Sequence, residues 1–598
     1  MSLLVSTIIA IASCLSGCHT SPAPEGSTQQ LLDCYDYIIV GAGSAGSVLA
    51  NRLSKDAKYT VLLLEAGDDM TSLLYIPFMA PFAANESNSW GYQTDPQTAA
   101  LWDFPGHMAA VTQGKVMGGT SSLNSMNFVR GSQHDFNNWA KQYKAHGWSY
   151  HDVLKYFKSI ENFMITEFSE QEVTKYHGKH GETPVTYPTF YTPVCTAFLE
   201  ACKESKYEHV DYNGEKHTGY SRVQANILNG MRMGASTCFL NEGVLTRTNL
   251  HVSKRSTVTQ ILFDGKEATG VKFKKDGTET TVKIRREVIV SAGAVGSPKL
   301  LMLSGIGLQT HLQQHQINVV ENLPVGQGLQ DHVVFLGLVV TTQEDLIGLR
   351  KMNESIQQYQ HNRTGLLTIP GGFEAVLFTH SGVHQTEVDY PDVELELAAV
   401  FPNKDIEHSP YVPKDVYERY YKPMIEKNGF MNAVVMVQPE SRGAVYLKSK
   451  DPDDKPHINP NMLSMGTNDL FRIVNGTMKV KKLFETEAMK KIKAEVWKTK
   501  YPRCTQFDIW SDQYVSCMVQ HTAFPGQHVC CTCAMGDHDK AVVDESLKVK
   551  GISRLRVADS SVMPQIVTGN TNAAVMMIAE KAAYMILQDA EKIQPRAV

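Results

Sequence analysis

Little in this chain suits a nucleic-acid or membrane partner. Its 57 Lys and Arg are outnumbered by 62 Asp and Glu, for a formal net charge of -5, and the basic residues are scattered without a block. That excludes a phosphate-tracking surface and a dock for anionic lipid. After the first twenty residues no apolar run is long enough to span a bilayer. Paired zinc knuckles are lacking too. The densest group of ligating side chains, HVCCTCAMG at 528–536, sets Cys530 directly beside Cys531 with no matching second pair, which argues against structural zinc. A disulfide, buried free thiols or incidental neighbours of His528 remain as readings of those cysteines. The rest, 598 residues with 42% hydrophobic and 20% charged, is the composition of an ordinary globular protein with room for two to four domains.

The first residues, MSLLVSTIIAIASCLSGCHT, form an uncharged apolar run followed by the polar SPAPEGSTQQ. They predict a cleaved secretory signal over 1–18, with a lipoprotein-like reading of LSGC as the alternative. Four Asn-x-Ser/Thr sequons, at Asn85, Asn353, Asn362 and Asn475, are compatible with export and glycosylation. Losing Cys14 and Cys18 with the signal leaves nine of the 11 cysteines, an odd number, so at least one thiol stays unpaired or bridges to another chain. Cys504 and Cys517 are close enough in sequence to pair.

In YDYIIVGAGSAGSVLANRLSKDAKYTVLLLEAG an apolar β-type run meets Gly41, Gly43 and Gly46, a helical stretch follows, and a second β run ends at Glu65, nineteen positions after Gly46. Strand, G-x-G-x-x-G turn, helix, strand and acid in that order make a complete dinucleotide-binding unit. Its turn, Gly41 to Gly46 with Ser44 and Ala45, lets backbone and helix N-terminus approach a pyrophosphate, while Glu65 accepts from a ribose. The unit alone does not separate NAD from FAD.

Two further glycine-rich stretches, GKVMGGTSSLNSMNFVRG at 114–131 and SAGAVGSPKLLMLSGIG at 291–307, occur with RLRVADSSVMPQIVTGNTNAAVMMIAEKAA at 554–583. Together with the first unit, the chain from about residue 34 to the C-terminus resembles the glucose-methanol-choline (GMC) family of FAD-dependent oxidoreductases. The resemblance implies an α/β fold: a discontinuous Rossmann-type FAD-binding domain plus an α+β substrate domain with a mainly antiparallel sheet. It implies that Val116, Gly119 and Asn124 touch the flavin half, that Val258 meets the adenine through its backbone, and that Asp559 sits near the pyrophosphate. Some members hold FAD through a histidine before that Asn; Leu123 stands there here, so noncovalent FAD is expected. Alternation in stretches such as VELELAAVF predicts the sheet that roofs the flavin. The expected division is an FAD domain over 34–330 with inserted pieces of the substrate domain, a substrate domain over 331–524, and a return over 525–598. The polar, turn-rich segment at 402–430 reads either as a loop over the entrance or as solvated surface.

By the same resemblance His528 falls on the family's catalytic histidine, accepting the hydroxyl proton as hydride passes from carbon to flavin N5. Asn572 is assigned as the hydrogen-bond donor orienting the alcohol. Asn570 is hard to separate from it, and His521 is the runner-up base. The family's usual NLQDH reads GLQDH here, with Gly328, and Cys530 and Cys531 replace a Val and a Gly. The phrases GWSYHDVLKYF and GASTCFLNEG are similar to the insect branch, which includes glucose dehydrogenases using quinone-like acceptors and ecdysone oxidases that return electrons to oxygen. The expectation is therefore a secreted enzyme acting on a small-molecule alcohol, leaning to an ecdysteroid 3-hydroxyl, with oxygen or a quinone as acceptor. A hydroxynitrile lyase, an idle secreted relative and an NAD-dependent dehydrogenase are the rivals.

Overall fold

The run CYDYIIV forms strand β1 (Cys34–Val40) because all but its first residue are buried, the pattern of a central parallel strand covered on both faces. The chain turns at the glycines into helix α1 (Ser44–Leu53) and returns as β2 (Val61–Leu64), also fully buried. This computed structural model describes residues 30–82, 84–343, 352–383 and 389–592; the expected signal lies outside them. Strands β1 and β2 pair in parallel, flanked by Leu250–Ser253 on one side and Thr278–Val290 on the other. Antiparallel strands Glu267–Lys275 and Ser256–Asp264 extend the sheet, and Leu555–Val557 returns from the far end of the sequence to pair with Thr278–Val290. A Cβ at Gly46 would lie 1.8 Å from the Gly41 carbonyl oxygen, so only glycine lets α1 leave the sheet this closely. Helix α2 (Gly293–Leu303) packs on the Ser256–Asp264 strand.

The second large sheet is antiparallel. Its central strands are β3 (Val333–Thr342), β4 (Phe373–Thr379), β5 (Val393–Ala398) and β6 (Asn428–Met436), in the spatial order β3, β6, β5, β4, with Gly219–Arg222 at the β4 edge. One face carries Val393, Leu395, Leu397 and Val434 into an apolar cluster beneath helices Asp469–Lys481 and Asp512–Thr522. Each such side chain contributes roughly 1.5–3 kcal/mol on burial. The opposite face turns toward the first sheet. The fold is thus the expected α/β architecture of a parallel-centred nucleotide sheet and an antiparallel roof. Segment 402–430 is neither a bare loop nor plain surface. It forms short helical turns that bury Tyr417, Tyr420 and Met424, while Pro402, Asn403 and Asp405 reach the cavity between the sheets. The last helix, α3 (Asn572–Lys592), packs along α1. Among the described residues no helix is long and apolar enough to cross a membrane.

Candidate active site

A cavity of about 850 Å³ lies between the two sheets. On the nucleotide side its wall includes Gly41, Gly43, Ser44, Ala45, Glu65, Gly119, Asn124, Val258 and Asp559. Gly46 and Val116 do not reach it. Gly46 is held against Gly41, and Val116 packs behind the wall with Leu74 and Leu123 while its carbonyl accepts the Gly119 N–H at 2.7 Å. Helix α1 opens at Gly43 with no side-chain cap and no acid in its first turn, which leaves its positive N-terminal end to an anion. Gly119, at φ 55°, comes so close that a Cβ there would lie 2.8 Å from Gly43 Cα. A long ligand lying across both glycines therefore meets backbone alone.

The acids flanking this groove are strongly buried. Glu65 accepts the N–H groups of Ala42 and Gly67, each at 2.8 Å, and burial still pushes its carboxyl up to about 7. Asp559 accepts from the Gly293 N–H at 2.9 Å, the Ser297 hydroxyl at 2.5 Å and the Ser561 N–H at 2.8 Å, and burial raises it as well. An uncapped helix start, a glycine cradle and a buried ribose-side acid fit the ADP half of FAD, and Asn124 at the far wall fits its ring half. Leu123 is buried at that wall and offers nothing for a covalent link.

His528 sits where the cavity meets the roof. Its backbone N–H donates to Asp331 Oδ1 at 2.7 Å, its Nδ1 lies 2.9 Å from His332 Nδ1, and its Nε2 lies 3.3 Å from Asn570 Nδ2. The two imidazoles meet edge to face, centroids 5.0 Å apart. His332 is completely buried, and its Nε2 has no hydrogen-bond partner among the described residues. The Asn570 Nδ2 only donates, so His528 Nε2 is assigned as the acceptor and the His528 proton to Nδ1, where His332 Nδ1 accepts it. That leaves a lone pair on His528 Nε2, facing Asn570 and the cavity. One side of the ring faces the cavity, yet the surrounding protein pulls its pKa down to about 4 by burial. Asp331 is pushed up to about 7 by burial, against the backbone donors of His528, His332 and Gln527.

The two amides, Asn572, assigned to orient the alcohol, and Asn570, hard to separate from it in sequence, both line the cavity, and Asn570 is the one that meets His528. Asn572 opens α3, where its Oδ1 accepts from Ser44 Oγ at 2.6 Å; Asn570, two residues earlier, is the amide beside His528. His521 is bound to Asp103 at 2.9 Å and packs on Trp102, away from the cavity wall. Three side chains at the site were missed in the sequence: His332, Glu394 and Glu396. The second half of GLQDH was the signal for the first, and paired acids inside the strand-like VELELAAVF for the other two. Cys530 and Cys531 are buried with sulfurs 2.7 Å apart, whereas Cys504 and Cys517 form a disulfide.

Comparison with known proteins shows the family. Sequence models described as GMC oxidoreductase match residues 35–334 and, for the C-terminal part, 439–579. A Drosophila melanogaster glucose dehydrogenase [FAD, quinone] is 34% identical over 561 residues, covering 92% of this chain and 86% of the relative. An oxygen-dependent choline dehydrogenase of Brucella ovis is 35% identical over 567 residues, covering 92% and 95%. Among solved structures, a formate oxidase variant from Aspergillus oryzae RIB40, studied for FAD modification, superposes with a TM-score of 0.81 at 26% identity, covering 94% of this chain and all of that one.

Proposed function

Since the chain belongs to the GMC oxidoreductase family and is an FAD-dependent oxidoreductase, we propose that His528 and Asn570 are the groups with which it oxidises the CH–OH carbon of a small-molecule alcohol to a carbonyl. The supporting observation is the geometry about His528, whose Nδ1 lies 2.9 Å from His332 and whose Nε2 lies 3.3 Å from the Asn570 amide. When bound, FAD supplies the hydride acceptor. His528 Nε2 takes the hydroxyl proton, so that charge building on oxygen assists departure of hydride from carbon. The Asn570 amide donates to the same oxygen and fixes the direction of the C–H bond. Burial keeps the imidazole neutral, and thus able to accept, at any pH well above 4. The apolar roof of Val334, Leu336, Ala433 and Val435 excludes water from the reacting carbon.

For the substrate we infer an ecdysteroid 3-hydroxyl with oxygen as acceptor, supported by the sequence's similarity to the insect branch and by a largely apolar roof. A sugar dehydrogenase passing electrons to a quinone is the second reading, favoured by the 34% identity to the Drosophila glucose dehydrogenase. We place the protein outside the cell, supported by the apolar N-terminal run, the Cys504–Cys517 disulfide and the exposed sequon residues Asn85, Asn362 and Asn475. An anaerobic reduction screen of ecdysteroids, sugars and simple alcohols, followed by admission of oxygen, tests substrate and acceptor together. Flavin bleached by an ecdysteroid and rapidly recoloured by oxygen supports the first reading. Recolouring by a quinone alone supports the second. A flavin that no alcohol reduces, with cyanide released from a cyanohydrin, overturns both.

A further inference from the structure

The roof presents Val334, Leu336, Ala433 and Val435 to the cavity, and into this apolar surface β5 inserts two acids, Glu394 and Glu396. Two residues apart on one strand, they share its cavity face. Glu396 has company: its Oε1 accepts from Asn127 Nδ2 at 2.6 Å, and the Asn570 side chain donates to it. Glu394 is 1% exposed, and neither of its carboxyl oxygens has a hydrogen-bond partner among the described residues. No Lys or Arg is among the groups acting on either carboxyl. Strand packing has no use for these acids, since their neighbours across β6, Val435 and Ala433, are apolar. An unpartnered buried carboxyl is a standing cost that a Val at the same position would remove. The partner that offsets it therefore comes from outside the chain, through the cavity whose wall also holds His528 and Asn570.

We propose that Glu394, backed by Glu396, is a subsite for a hydrogen-bond-donating group of the substrate, a hydroxyl or an ammonium set apart from the carbinol, so that the alcohol is anchored at both ends. The subsite rests on the reading that this cavity oxidises an alcohol. Burial raises both carboxyls, Glu396 to about 7. A distant hydroxyl can bond to either form of the Glu394 carboxyl, accepting from the acid or donating to the carboxylate, whereas an ammonium meets a carboxylate once the Glu394 proton has left to solvent.

The test uses the FAD-loaded enzyme with 1-alkanols, α,ω-diols and ω-aminoalkanols of three to eight carbons. Anaerobic flavin reduction gives kcat/KM, and the shift of the flavin absorbance band gives binding. At one chain length the diol or aminoalkanol should exceed the matching alkanol tenfold or more, chiefly through KM. Glu394→Val should bring that ratio to near one. Glu394→Gln, which cannot ionise, should keep a diol preference and lose an ammonium preference, so the two arms separate the two groups. No preference at any length in the wild type, or a preference that survives Glu394→Val, overturns the subsite. Should no alcohol reduce the wild-type flavin, the alcohol-oxidising reading fails on its own and binding decides the subsite: tenfold weaker diol binding in Glu394→Val retains it, unchanged binding removes it.

Discussion

Replacing His332 by Leu isolates the contact that orients the base. The structure joins His332 Nδ1 to His528 Nδ1 at 2.9 Å and sets the donating Asn570 amide against His528 Nε2, so the His528 proton lies at Nδ1 and His332 receives it. In the transition state His528 becomes an imidazolium, and this hydrogen bond becomes one to a charged donor, worth about 1.5–3 kcal/mol. At about 1.36 kcal/mol per tenfold, its loss should slow flavin reduction by about tenfold to about 150-fold. Removing the base itself in His528→Ala should cost about 10²–10⁴, a range that begins near where this one ends. Stopped-flow reduction by a saturating alcohol, with FAD content and melting temperature measured on the same samples, gives the rate. His332→Gln, whose side-chain carbonyl can accept in the same direction, should recover part of it, which a purely structural role would not predict. Reduction by His332→Leu within twofold of wild type, with full FAD content, would refute the tautomer assignment.

Three further outcomes follow from the same geometry. Asn570→Ala should slow reduction by about fivefold to about 150-fold, since a donor to the reacting oxygen is worth about 1–3 kcal/mol, whereas Asn572→Ala, which removes the acceptor of Ser44 Oγ, should show chiefly as weaker retention of FAD; the reverse pattern would return the orienting role to Asn572. With the His528 imidazole lowered to about 4 by burial, against an ordinary value of about 6.5, its neutral base form persists on acidification, so kcat/KM should fall only below about pH 4, and a limb centred near 6.5 would refute that burial. The sign for stability is linked: the unfolded chain takes up this proton near its ordinary value and the native state does not, so the imidazole costs folding stability as pH falls from about 6.5 toward 4. Cys504→Ser, which opens the bond to Cys517 across a separation of 13 residues, should lower stability by about 2–4 kcal/mol; a melting temperature unchanged by this substitution would show that the bond carries no load.

Legibility in the sequence followed the range over which each feature is built. The turn from Gly41 to Gly46 and the acid Glu65 belong to one β1–α1–β2 unit, so their spacing along the chain already dictates their spacing in space. The long-range pairings were legible only through resemblance. His332 and His528 are separated by 196 residues, and the backbone bridge of Gln330 with Cys530 is what sets them side by side. Asn570 and Asn572 show a finer limit. Both flank the start of α3, and side chains two positions apart there point in widely different directions, so one meets His528 and the other Ser44.

The sequence by itself determined the nucleotide unit, because period, glycine spacing and a terminal acid are local chemistry that survives without coordinates, and its resemblance to known relatives carried the family and the plan of a parallel-centred sheet beneath an antiparallel one. Only the tertiary structure decided which amide faces the imidazole, which nitrogen carries the base's lone pair, and that Glu394 and Glu396 look into a cavity rather than into solvent. An alternating strand announces that its acids share a face; what that face meets depends on the sheet packed against it, and no residue within the strand encodes that.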